Sequence, residues 1–157
     1  MFDVTIARAL HILSVVHWIG GVFMVTAVML PAIAKCDAPS RRIQLFEQVE
    51  GRFSAQAKIS VTLAGITGFY LTHRLNAWDR FLDPGFWWMH AMVLVWAIFT
   101  FVLFIAEPLF LHAWFLSKAE RAPDGAISLM LRFHWVLLSV SLATIGGAIL
   151  GAHGVQF

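Results

Sequence analysis

Residues 9–34 read ALHILSVVHWIGGVFMVTAVMLPAIA, a run without a single Asp, Glu, Lys or Arg. An α-helix rises about 1.5 Å per residue, so roughly 20 residues cross about 30 Å of hydrocarbon, and this run is longer than that. It has no polar stripe at helical spacing, which a helix of a water-soluble bundle needs. Residues 84–106 and 133–157 are equally free of Asp, Glu, Lys and Arg. A fourth apolar stretch, from about Phe53 to His73, is broken only by Lys58, whose long stem can carry its ammonium to the interface. The expected fold is all-α, an integral membrane four-helix bundle. It forms a single domain over residues 1–157, with approximate spans 4–34, 53–75, 85–113 and 128–154.

The segments between the spans carry their own signals. Ile43–Arg52 places Leu45, Phe46 and Val49 at amphipathic spacing, which predicts a short amphipathic interfacial helix between helices 1 and 2 that continues into the second span. Asp83-Pro84-Gly85 is a start signal for the third helix. That helix is expected to run past Glu107-Pro108 to Leu116, with Pro108 kinking it. Asp124 or Ser128 is the expected cap of the fourth helix. With Arg8 inside a short apolar lead and no small-residue cleavage site, the beginning of the sequence reads as the start of the first span rather than as a removable signal.

Charge sets the orientation. Lys35, Arg41, Arg42 and Arg52 follow the first span, and Lys118, Arg121 and Arg132 precede or open the fourth. Arg8, Arg74 and Arg80 on the other side are diluted by Asp3, Asp79 and Asp83. The positive-inside rule then puts both termini outside, which for a bacterial inner (cytoplasmic) membrane is the periplasm. Trp78, Trp87 and Trp88 are expected as an outer aromatic belt, with Trp114 and Trp135 on the inner face. The formal charge of +2 is too small to point to nucleic acid. Cys36, the single cysteine, excludes an internal disulfide and any zinc or iron–sulfur site built on cysteines.

Against this apolar background the seven histidines stand out. An ionisable residue in a membrane helix is by default a functional candidate. Counting about 1.5 Å per residue from the outer boundary puts His11 and His73 close to that boundary. His153 falls just inside it, and His17 and His90 lie roughly 7–9 Å deep. Every helix thus supplies an imidazole to the outer half, while His112 and His134 fall at the inner boundary, as interfacial residues. Gly20, Gly21, Gly65, Gly68, Gly146, Gly147 and Gly151 cluster at the same outer level. Glycine there allows close helix packing, or it leaves a slot for a flat ligand such as a porphyrin, for which two imidazoles are a standard axial set.

Ala9-Leu10-His11-Ile12 with His17-Trp18-Ile19-Gly20-Gly21 resembles the first helix of the CopD-like and HemJ-like membrane proteins, and Trp88-Met89-His90-Ala91 resembles their third-helix motif. These are small helical families linked to copper handling and to haem b-dependent protoporphyrinogen oxidation. The similarity covers about the first two-thirds of the chain. It implies that His11 and His90 are haem-associated, facing each other from antiparallel helices. Met92 stands where HemJ proteins carry a lysine, and their first helix has no counterpart of His17. These departures weigh against protoporphyrinogen oxidation and leave a haem-binding scaffold.

The expected function is therefore a membrane b-type cytochrome near the periplasmic face, with one haem b or two. His11 and His90 are the axial pair on the haem iron, His17 is the substitute partner for His90, and His73 and His153 are candidates for a second site. Electrons would pass to or from quinol, a soluble oxidant or a partner redox protein, and a homo-oligomer is compatible with such a bundle. Copper transport or homeostasis is the alternative, since Met24, Met29, Met89 and Met92 with histidine suit Cu(I). A haem-dependent oxidase acting on porphyrinogen or another lipid-soluble substrate is a third expectation, and a purely structural membrane subunit a fourth. At the inner boundary Lys58, Glu107, Arg132 and His134 gather, as ordinary charge pairing or as a proton or quinone site.

Overall fold

The structure, a computed structural model, describes residues 1–36 and 38–155. Four long helical rods account for most of it, with no strand among the described residues. Helix α1 covers Phe2–Ala34 and helix α2 covers Pro39–Arg74. Helix α3 is built from three consecutive segments, Trp87–Phe101, Val102–Leu111 and His112–Arg121. Helix α4 covers Pro123–Ala152. The rods α1, α3 and α4 are long and apolar enough to cross a membrane. α2 falls short of that: its first half is charged, and Lys58 with Ser54, Gln56, Ser60, Thr62, Thr67 and Thr72 keeps its second half less apolar than the sequence reading of a fourth span from Phe53 supposed.

The five prolines explain much of the outline. Pro39, Pro84 and Pro123 stand at the first positions of helical segments, where a missing N–H costs nothing. Pro31 and Pro108 lie inside rods, where the ring crowds the carbonyl four residues earlier. In both places the helix widens to π geometry, over Val25–Met29 just ahead of Pro31 and over Val102–Leu111 around Pro108. Widening lets the chain continue past each proline without breaking.

The helix ends facing the N-terminus close with left-handed residues. Asn76 has φ 50°, and the amides of Asn76 and Ala77 bond to the carbonyls of His73 and Thr72 at 3.2 and 2.9 Å, a Schellman closure of α2. Gly154, at φ 86°, closes α4 in the same way through Gly154 to Gly151 and Val155 to Leu150. The start signal at Asp83 is realised, since its carboxylate accepts from the Gly85 amide at 2.8 Å. The fourth helix differs from expectation. It begins at Pro123 with no side-chain cap, and Asp124 is paired with Arg42 of α2 instead.

The segment Ile43–Arg52 is not a separate interfacial helix. It forms the opening turns of the unbroken α2, and Phe46 is buried against the ring of Phe115 at 4.6 Å. Two core clusters stack along the bundle. One joins all four rods through Trp18, Val22, Val61, Phe99 and Leu138. The second, toward the chain's charged connections, joins Leu30, Ile33, Phe46, Phe115 and Ile127. Outside these clusters the surface is apolar: Leu13, Val16, Ile59, Ile66, Leu94 and Val136 all stand exposed.

Candidate functional site

Each histidine can be placed by what its ring nitrogens touch. His11 is partly buried between α1 and α2, with Nδ1 3.0 Å from the Ala64 carbonyl and 3.1 Å from Thr67 Oγ1. A carbonyl only accepts, so Nδ1 carries the proton. Thr67 already donates to the Leu63 carbonyl at 2.6 Å, so its oxygen is a second acceptor for the same N–H. The tautomer is thereby fixed, and the Nε2 lone pair is free. This is the arrangement in which a ring ligates a metal while its other nitrogen is held from behind.

His17, one and two-thirds turns along α1, also leans on α2, with Nδ1 2.8 Å from Ser60 Oγ. His90 is exposed at the start of α3. Its Nε2 donates to the Phe81 carbonyl at 3.0 Å, and the Phe81 ring meets it edge-on at 5.3 Å. The free nitrogen of His90 is therefore Nδ1. His153 bonds through Nδ1 to the Ile149 carbonyl of its own helix, and His73 is exposed on the last turn of α2. His134 bonds through Nδ1 to the Met130 carbonyl, and His112 Nε2 lies 3.8 Å from Glu47. Among the described residues no hydrogen bond joins two histidines, and no group of three or more His, Cys, Asp or Glu side chains is placed to hold a metal ion.

The glycines show what occupies the space between the rods. A Cβ at Gly21 would meet the Phe53 ring at 2.3 Å, and one at Gly65 the Trp96 indole at 2.6 Å. At Gly147 it would meet Trp87 at 2.5 Å, and at Gly151 Trp88 at 2.1 Å. The flat groups seated on these four glycines are thus the protein's own rings. Trp96 is further pinned by its Nε1 donating to the Val61 carbonyl at 2.9 Å. Gly68 is the exception that serves a histidine, its open face receiving the His11 ring at 3.1 Å. Gly20 and Gly146 have open space. Trp18 Nε1 is fully buried with no partner among the described residues, a donor that an acceptor on a bound group or a water would satisfy.

One polar arrangement was not expected from the sequence. At the outer end Asp3 bonds Arg74 at 2.8 and 3.0 Å and Tyr70 at 2.9 Å, tying α1 to α2. At the other end Lys58 makes the charge pairing expected for it. It donates to Glu107 at 3.0 Å, and Ser54 donates to the same oxygen at 3.1 Å, while Arg132 stays exposed. Compared with family models, with curated proteins and with solved structures, the chain finds no match.

Proposed function

We propose that this chain is a membrane-embedded b-type haem protein in which His11 is the first axial ligand of the iron. The observation that carries the reading is the His11 ring itself. It is partly buried, its proton is fixed on Nδ1 by the Ala64 carbonyl and Thr67, and it is seated in the space left by Gly68. The resemblance of Ala9–Gly21 and Trp88–Ala91 to the CopD-like and HemJ-like proteins supports it. His90 suits the second ligand position less readily, because its Nε2 is held by the Phe81 carbonyl and leaves only Nδ1 for an iron. His17, with its ring held from behind by Ser60, is the substitute.

Bound haem would supply one-electron chemistry, and two imidazoles leave the iron without an open position. The chain's own contribution is to hold a neutral imidazole in one tautomer and to surround it with apolar side chains. The apolar exterior and the charge asymmetry support insertion in a bacterial inner membrane with both termini outside. Quinol or a redox protein would then be the exchange partner.

The test is the visible spectrum of the purified chain before and after dithionite. The expected result is the sharp reduced α-band of low-spin haem b, severely altered in His11→Ala and in His90→Ala and intact in His112→Ala. A colourless preparation carrying copper would replace this reading with copper binding.

A further inference from the structure

The end of the bundle opposite the termini holds a small cavity, largely apolar in its walls, that the histidine reading does not use. Glu50, Ser54, Glu107 and His134 line it, among apolar side chains from all four rods, and its volume is about 70 Å³. Its polar lining is unevenly partnered. Glu107 accepts from both Lys58 and Ser54. Glu50, one turn before Ser54 on α2, has neither a hydrogen bond nor an ion pair on its carboxyl among the described residues. His134 has committed its Nδ1–H to the Met130 carbonyl at 2.9 Å, which leaves Nε2 as an acceptor.

Charge and size together choose the ligand. Two carboxylates face one ammonium, so with both ionised the enclosure carries an uncompensated negative charge. Partly buried charge of that kind is relieved by neutralisation. The space admits a few water molecules, at about 30 Å³ each in the liquid. It falls well short of the roughly 300 Å³ at which sites for ring-bearing ligands begin. The cavity is thus sized for water rather than for a quinone head group.

We propose that this cavity is a hydrated proton site, in which Glu50 takes up and releases one proton through water shared with Glu107 and His134. Uptake converts the Glu50 carboxylate and a hydronium ion to a carboxylic acid and water, and release reverses it. Glu50 belongs to Ile43–Arg52, outside the second apolar span. Burial pushes its carboxyl up to about 7, with the charges of Glu107 and Glu47 adding to the effect. The groups facing it are Glu47 and Lys58 from its own helix, Glu107 from α3 and His134 from α4. α1 contributes only Val22 to the cavity wall. His112, 3.8 Å from Glu47, stands behind that residue.

The sign of the linkage follows. The folded state holds the Glu50 proton more tightly than the unfolded chain, whose glutamate titrates near 4.5. Glu50 is therefore neutral in its effect below that value and increasingly destabilising as pH rises through about 7. Glu50→Gln should gain stability relative to the wild type across that window.

Infrared spectroscopy of the full chain in nanodiscs tests the proposal. The expected result is a protonated-carboxyl stretch that bleaches with a midpoint near neutral pH and is absent from Glu50→Gln. It should persist in Glu47→Gln, and in Glu107→Gln its midpoint should fall by on the order of one pH unit. Glu107→Gln keeps the question open to disproof if Glu50→Gln does not fold. A band that survives Glu50→Gln, or a midpoint in the ordinary carboxylate range, overturns the proposal. So does a midpoint that moves when sodium replaces potassium, which would make the ligand a metal cation. Haem content plays no part in this readout.

Discussion

A histidine whose Nδ1 faces a backbone carbonyl has only one neutral tautomer open to it, and for His11 that tautomer presents Nε2 for ligation. The sequence shows that His11 sits in an apolar helix near one end of a span. It does not show Ala64, Thr67 and Ser60, the groups that orient His11 and His17, because those lie on another helix some fifty residues away. The same is true of the glycines. Their clustering at one level was legible, whereas the rings that fill them come from neighbouring rods and follow from no local pattern. Packing in lipid rests on such close fits, since apolar side chains gain little by leaving an apolar solvent. Gly151→Ala, whose new methyl would collide with the buried Trp88, is expected to cost about 1–3 kcal/mol in a denaturation titration. Gly20→Ala, with open space before it, should be neutral or slightly stabilising in the same titration.

At the scale of the elements, apolar run length identified α1, α3 and α4 as the long apolar rods, while α3 runs on to Arg121 and α4 begins at Pro123, beyond the apolar runs themselves. The charged opening of α2 continues into the rest of the helix as expected, but its amphipathic spacing left open what it packs on, because that spacing reads alike for a helix lying on a membrane and for one packed on a protein. The outcome was decided by Phe46 meeting Phe115 and by Arg42 meeting Asp124, both long-range contacts. The π turns are legible only after the fact, as the response of a continuing helix to Pro31 and Pro108. The Lys58–Glu107 bond is the cross-link between α2 and α3 most open to test, both side chains being less than 35% exposed. Lys58→Met leaves the carboxylate of Glu107 without its cation and is expected to destabilise by about 1–2 kcal/mol. The double variant Lys58→Met, Glu107→Gln should recover most of that loss in the same denaturation experiment.

For the whole molecule, three rods are long and apolar enough to cross a membrane, and the four rods run so that the described ends of α1 and α4 lie at one end of the bundle. That end holds His11, His73, His90 and His153 and the Asp3–Arg74 tie, and the other holds the carboxylate cavity. The proposed haem site and the proposed proton site thus lie at opposite ends of one bundle. The histidine content announced the first assignment. The second was visible only as a gathering of charges, because the partnering of Glu107 and the lack of a partner at Glu50 depend on three helices meeting. The most direct measurement is the haem content of purified His11→Gly, with and without added imidazole. Loss of the haem absorbance in the variant, restored by imidazole entering the vacated position, is the expected result. A variant that keeps full haem content and an unchanged spectrum would contradict it.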